Sequence, residues 1–139
     1  MNMRTSHHAM RQYQQTNTNA QAAYADPHQL IAMLFNGALE KIAIAKGAMQ
    51  RGELAQKGEA IGRVIAIVDG LRASLDADKG GDIARNLDAL YEYMQRRLFE
   101  ANNLNDSDLL DEVSALIKEV KSAWDLIPEE VRAQAKQVA

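Results

Sequence analysis

His7, His8 and His28 are the side chains best suited to hold a metal, carry a phosphoryl group or move a proton near neutral pH. None sits where that chemistry needs it. A di-metal helical bundle uses inward glutamates with Glu-x-x-His pairs on facing helices, and phosphotransfer wants an exposed imidazole in mid-helix. His7 and His8 lie in a polar N-terminal stretch, and His28 falls in the first turn of the first helical segment, where it reads as a surface or cap-region residue. Asp76, Asp78 and Asp82 lack the ligand spacing and distal bidentate glutamate of a calcium loop. Gly80-Gly81 precedes a helix, which favours anions, but no strand and no Gly-x-x-x-x-Gly-Lys run accompanies it, so it reads as a turn. With 0 cysteines, thiolate ligands, disulfides and cysteine nucleophiles are excluded by inventory. The expectation is a protein that is not an enzyme and uses no cofactor, metal or small-molecule substrate.

The 16 basic and 19 acidic residues give a net charge of -3. Neither sign gathers in a long block, so the basic footprint of a nucleic-acid binder is missing. Arg96-Arg97 is a pair, more readily engaged by acidic groups of the bundle or a partner than by phosphate. No apolar run is long enough to insert into a membrane, and the N-terminus has no continuous apolar core of a leader peptide. A soluble, unprocessed, intracellular protein is expected.

The elements around these residues are helical. Ala, Leu, Glu, Lys, Arg, Met and Gln dominate, with only 2 prolines, a composition that favours helices over strands. Residues 1–25 are rich in Gln, Asn and Thr without apolar periodicity and read as a mobile arm, with Tyr13 and Tyr24 as its docking candidates. Asp26 as cap, Pro27 at the first helical position and Gln29 reaching back open the first helix, which should stop near Arg51-Gly52. A second helix starts near Glu53 and carries Leu54, Ile61, Val64, Ile65, Ile67, Val68, Leu71 and Leu75. Gly58, Gly62 and Gly70 inside it imply either close helix approach or looseness, and both readings stay open. Asp78-Lys79-Gly80-Gly81 breaks the chain before a third helix, about 82–101, with Ile83, Leu87, Leu90, Met94 and Leu98 on one face and Tyr91 at its edge. The turn 102–108, capped by Asn105 or Asp106, leads to a fourth helix with Leu109, Val113, Leu116, Val120, Trp124 and Ile127 in a narrow stripe, ended by Pro128. The predicted architecture is all-α: an antiparallel up-down-up-down four-helix bundle over 26–127, with the arm before it and a tail or short helix over 128–139.

The first two helices have apolar arcs wider than the roughly 100° that one core face needs. Met33, Leu39, Ile67, Leu71, Tyr93 and Phe99 are the surplus. Either deeper packing, arm and tail cover them, or they form a groove for another chain. Burial of one such side chain contributes about 1.5 to 3 kcal/mol, so several could hold a disordered segment that folds as amphipathic helices on docking. The partner-binding set expected on this reading is Met33, Leu39, Ile42, Val64, Ile67, Val68, Leu71, Leu75, Tyr91, Tyr93 and Met94, with Tyr13 from the arm.

The run LDADKGGDIARNLDALYEYMQRRLFEANNLND, followed by LLDEV and Trp124, resembles the flagellar secretion chaperones of the FliS family, whose pattern there is LD…GGEIA.NL..LY.Y..RRL..AN. ADPHQLIAMLFNGAL resembles the family's first-helix motif, and RQYQQ its N-terminal tyrosine motif, so the similarity runs from about Tyr13 to Trp124. Phe35 stands where tyrosine is common and Asn36 where an acidic residue is. The resemblance implies a bacterial cytosolic chaperone that binds the disordered C-terminal segment of flagellin, prevents premature polymerisation and presents it to the flagellar export gate. It also implies that the arm, through Tyr13, covers the groove until cargo displaces it. A general helical adaptor or oligomerisation bundle is the alternative.

Overall fold

Asp26 and Gln29 form the reciprocal pair that their spacing suggests. The Gln29 N–H donates to the Asp26 carboxylate at 2.8 Å, and the Asp26 N–H to the Gln29 side-chain oxygen at 3.2 Å. The computed structural model describes residues 26–127. Over these it forms four helices, α1 (Pro27–Gln50), α2 (Leu54–Ala73), α3 (Ala77–Leu104) and α4 (Ser107–Asp125), with no strand among the described residues. The expected arm with Tyr13 and Tyr24, and the tail 128–139, lie outside the described residues.

Each helix end has a chemical cause. At the end of α1, Gly52 takes φ 72°. Its N–H donates to the Met49 carbonyl at 3.2 Å and that of Glu53 to Ala48 at 2.9 Å. These are the paired bonds of a glycine-terminated helix. The stretch expected to be a plain breaker behaves differently. The Asp76 carboxylate accepts from the N–H groups of Asp78 and Lys79, at 3.0 and 3.2 Å. That cap starts α3 at Ala77. Gly81, at φ 53° and ψ -127°, then kinks the helix. The break is one residue inside a capped turn. At its other end α3 runs to Leu104, three residues past the expected stop, because Asn105 adopts the left-handed conformation, at φ 53° and ψ 47°. The Asp106 N–H then closes on the Ala101 carbonyl at 3.1 Å, as a left-handed terminal residue permits. Asp106 in turn caps α4 by accepting from Asp108 at 2.9 Å.

Ile31–Ile127 makes up one compact unit. Its helices alternate in direction, as partner positions show. Leu34 and Gly37 of α1 face Gly70 and Ile67 of α2. Lys57, Ile65 and Arg72 of α2 bond Asn102, Gln95 and Asp88 of α3. Tyr93 and Arg97 of α3 reach Glu112 of α4, and Lys46 of α1 pairs with Asp111 of α4.

The core runs through Phe35, Ile61, Val64, Val68, Leu71, Met94, Leu98, Leu110, Val113 and Ile117, all fully buried. Two faces are rotated from expectation. On α3 the buried positions are Ala84, Tyr91, Met94, Leu98 and Ala101, whereas Ile83 is 72% exposed. That spacing approaches the heptad repeat of closely aligned helices. Small alanines at the ends of the repeat let the helices approach. Counting only the largest side chains pulls the expected stripe one residue aside. On α4, Leu110 and Ile117 are buried beside Leu109 and Val113, while Leu116, Val120 and Trp124 are only partly covered. The fourth helix therefore has a wider buried face than its narrow predicted stripe.

Lys57 is only 6% exposed, against the usual surface placement of a lysine. Its ammonium donates to the Asn102 carbonyl and to Asn105 Oδ1, both at 3.0 Å. It thereby satisfies acceptors at the C-terminal end of α3, where a helix favours positive charge.

Gly62 has nothing within 4 Å of where a Cβ would lie. Gly62→Ala should therefore stabilise the fold by about 0.5–1 kcal/mol. Leu98→Ala, which empties a fully buried site, should cost about 2–5 kcal/mol. Urea unfolding followed by circular dichroism measures both.

Candidate partner-binding surface

Along the line where α1 meets α2, the structure leaves apolar groups half covered. On α1, Met33, Gly37 and Ile44 share one side of the helix, and Met33 and Ile44 are 37% and 48% exposed. On α2, the partly buried Ile67 and the exposed Gly70 face them. A Cβ added to Gly37 would lie 3.6 Å from Ile67 Cδ1, and one added to Gly70 would lie 3.8 Å from Leu34 Cδ1. Those are ordinary contact distances. The glycines are thus not forced by helix crowding; they lower the floor of the seam instead. Farther along, Lys41, Ile44, Gln56, Glu59, Ala60 and Arg63 line a shallow depression of about 160 Å³. Ile44 and Ala60 supply its apolar lining, with Lys41, Gln56, Glu59 and Arg63 around them.

Apart from Tyr93, and from Tyr13, which lies outside the described residues, the expected partner-binding residues divide into three groups. Met33 and Ile67 are on the seam. Leu39 is half-buried on the other edge of α1, one heptad before Lys46, which pairs with α4; Leu75 is half-buried just past the end of α2. Ile42, Val64, Val68, Leu71, Tyr91 and Met94 are in the core, each at 3% exposure or less, and present no surface to a partner in this conformation. Leu71, expected among the surplus, is fully enclosed because α2 packs on both sides, against α1 and α3. The same enclosure drives the Tyr91 phenol up to a pKa of about 12, since burial disfavours the phenolate.

Ile44 is the seam residue that the sequence reading passed over. Its signal is its spacing, seven residues beyond Gly37 and eleven beyond Met33, which returns it to the same side of the helix. Phe99 is 61% exposed on α3, as expected of a surplus residue.

Tyr93 belongs to a polar clasp rather than an apolar rim. Its hydroxyl donates to Glu112 Oε1 at 3.0 Å, and Arg97 Nε donates to the same oxygen at 2.8 Å while also bonding Glu100 at 2.9 Å. The Arg96 and Arg97 guanidinium groups lie 5.8 and 5.7 Å from the centre of the Tyr93 ring, within cation–π range. The arginine pair is thus engaged by groups of this chain, Arg97 partly buried and Arg96 on the surface, where it also approaches Glu92 at 3.9 Å. Arg97, together with the tyrosine hydroxyl, holds Glu112 below the usual carboxylate range. Arg72 does the same to Asp88 across α2 and α3.

No helix among the described residues is long and apolar enough to cross a membrane, and none of their acidic and histidine side chains cluster as a metal site. The family described as Flagellar protein FliS matches residues 9–131. The flagellar secretion chaperone FliSB of Pseudomonas aeruginosa is 56% identical over 117 residues, covering 84% of this chain and 93% of that protein. The flagellar secretion chaperones FliS of Vibrio cholerae and Bacillus subtilis are 42% and 32% identical, covering 88% and 81% of this chain and 90% and 80% of those proteins.

The clasp carries a pH dependence. The folded carboxyl of Glu112 titrates below its ordinary value of 4.5. Its contribution is therefore full above that value and is lost as pH falls through the depressed folded value. Glu112→Gln should lower the urea midpoint at neutral pH, and the gap from the parent chain should shrink as pH falls below the ordinary carboxyl value and through the depressed folded one.

Proposed function

The chain belongs to the FliS family of flagellar secretion chaperones, and on that footing we propose that it holds the disordered C-terminal segment of flagellin in the cytosol and presents it to the flagellar export gate. The observation that carries this reading is the half-covered α1–α2 seam, where Met33, Ile44 and Ile67 keep apolar surface beside a shallow depression. Flagellin termini must later pack against one another through apolar helical faces. Covering one such face blocks assembly by occupancy alone, with no need for catalysis or a nucleotide.

Energetics narrow the kind of segment that fits. Micromolar affinity needs about 8 kcal/mol. Met33, Ile44 and Ile67 are already partly covered, so their further burial contributes only about 1 kcal/mol each. The guest must therefore bring several large apolar side chains of its own, each contributing about 1.5–3 kcal/mol when buried, and some of this is offset by the entropy of ordering it. An amphipathic segment that becomes helical on docking meets that requirement; a polar linker does not. The rim, with Lys41, Glu59 and Arg63, favours a guest whose apolar stripe is bordered by charges of both signs.

A pull-down with full-length flagellin and with flagellin lacking its C-terminal segment tests the reading: the first should be retained and the second lost, and equal retention would favour a general adaptor. Ile67→Asp should weaken capture at least tenfold while leaving the helical circular-dichroism signal and its melting transition in place, because Ile67 is partly exposed on the seam.

A further inference from the structure

The outer face of α3 carries an order of its own. Within the compact unit α1 meets α2 at Gly37 and Ile67 and pairs with α4 through Lys46 and Asp111, while α3 bonds the same two helices on its flanks. The outer face of α3 therefore points away from α1. Arg85, Ala89, Glu92, Arg96, Phe99 and Asn103 run along it, all exposed. Their spacing alternates four and three residues throughout, the heptad step that keeps a stripe in line with a second, closely aligned helix. Among the described residues, no helix of this chain lies there.

The stripe is also the same from either end. Its midpoint is Met94, between Glu92 and Arg96. A second copy of α3 laid antiparallel about that point sets Glu92 opposite Arg96, Phe99 opposite Ala89 and Arg85 opposite Asn103, and the two-fold symmetry repeats each layer. The first layer joins opposite charges, the second seats a large ring over a small side chain, and the third brings a guanidinium donor to an amide oxygen. Other arrangements lose this match. A parallel copy would set each charge against its own kind, and a slip of one heptad either sets Arg85 against Arg96 or leaves Arg96 opposite Phe99.

These groups are available to a partner. Within the chain Glu92 and Arg96 approach only to 3.9 Å, with side chains 57% and 65% exposed, where solvent leaves little attraction. Phe99 keeps 61% of its surface in water. The α2 flank leaves room as well. An added Cβ at Gly58 would lie 4.0 Å from the Asn102 side chain of α3, whereas one turn on, at Gly62, it would meet nothing within 4 Å.

We propose that the outer face of α3 is a contact between two copies of this chain, antiparallel about Met94, with the Glu92–Arg96 layers setting its register and Phe99 its apolar anchor. One helix with its flanks falls at the small end of specific interfaces, about 1,200 Å² or less, so the association is reversible and concentration-dependent. It leaves α1 of each copy on the far side and does not rest on the flagellin reading.

Sedimentation equilibrium of the full chain over a concentration series tests this. The parent should move from the monomer mass toward twice that mass as concentration rises into the millimolar range. Glu92→Arg and Arg96→Glu should each weaken self-association at least tenfold, because each sets like charges against one another in both central layers. Mixed in equal amounts, the two variants should associate within threefold of the parent, because every central layer again joins opposite charges. Phe99→Ala should weaken the parent association at least fivefold. All three positions are exposed, so circular-dichroism melts should match the parent. A parent chain that stays monomeric throughout, charge variants that associate within twofold of the parent, or a mixture no tighter than either variant alone would each overturn the inference.

Discussion

Directional bonds at Lys57, Arg72, Gln95 and Glu112 set the register of α2, α3 and α4, and most of what distinguishes this bundle depends on them. Apolar burial supplies the larger stabilisation, and the bonds reinforce the register that close packing already favours. The buried Lys57 ammonium is the strictest of these constraints. It is at home only with the end of α3 where it is, because a one-turn slip would leave it and the carbonyl it serves without partners.

A free protein with apolar surface to spare has to keep that surface from joining copies of itself. Along the seam the apolar side chains are interrupted rather than continuous. Its floor is lowered by Gly37 and Gly70, its exposed side chains are separated along α1, and charged groups stand on both banks at Lys41, Glu59 and Arg63. A flat patch of the same composition would invite self-association.

Much of the fold was legible in the sequence because the decisive signals are local. Asp26-Pro27 with Gln29, Gly52, and Asp106 specify helix ends through hydrogen bonds made within a few residues. Four helices then follow from composition and apolar spacing. The misses are non-local or concern phase. The α3 start was hidden because Asp76 caps a turn inside a glycine-rich stretch, and the α3 and α4 faces were misjudged because small alanines and the pair Leu110 and Ile117 set the buried phase rather than the bulkiest stripe. Lys57 reads as an ordinary surface lysine until α3 is laid beside it. For the candidate site, the width of an apolar arc marks surplus surface but not which edge remains open. Val64, Val68 and Leu71 carry the same pattern whether a neighbouring helix or a guest covers them, so only packing separates them from Met33, Ile44 and Ile67.

On this account the guest lies along the line between α1 and α2. A photoreactive amino acid placed in turn at Ile44, Met33 and, on the outer side of α4, Glu119, followed by irradiation with flagellin and mass spectrometry, tests it most directly. Adducts from Ile44 and Met33 to the flagellin C-terminal segment, with none from Glu119, are predicted. Adducts from Glu119 with none from the two α1 positions would contradict the account.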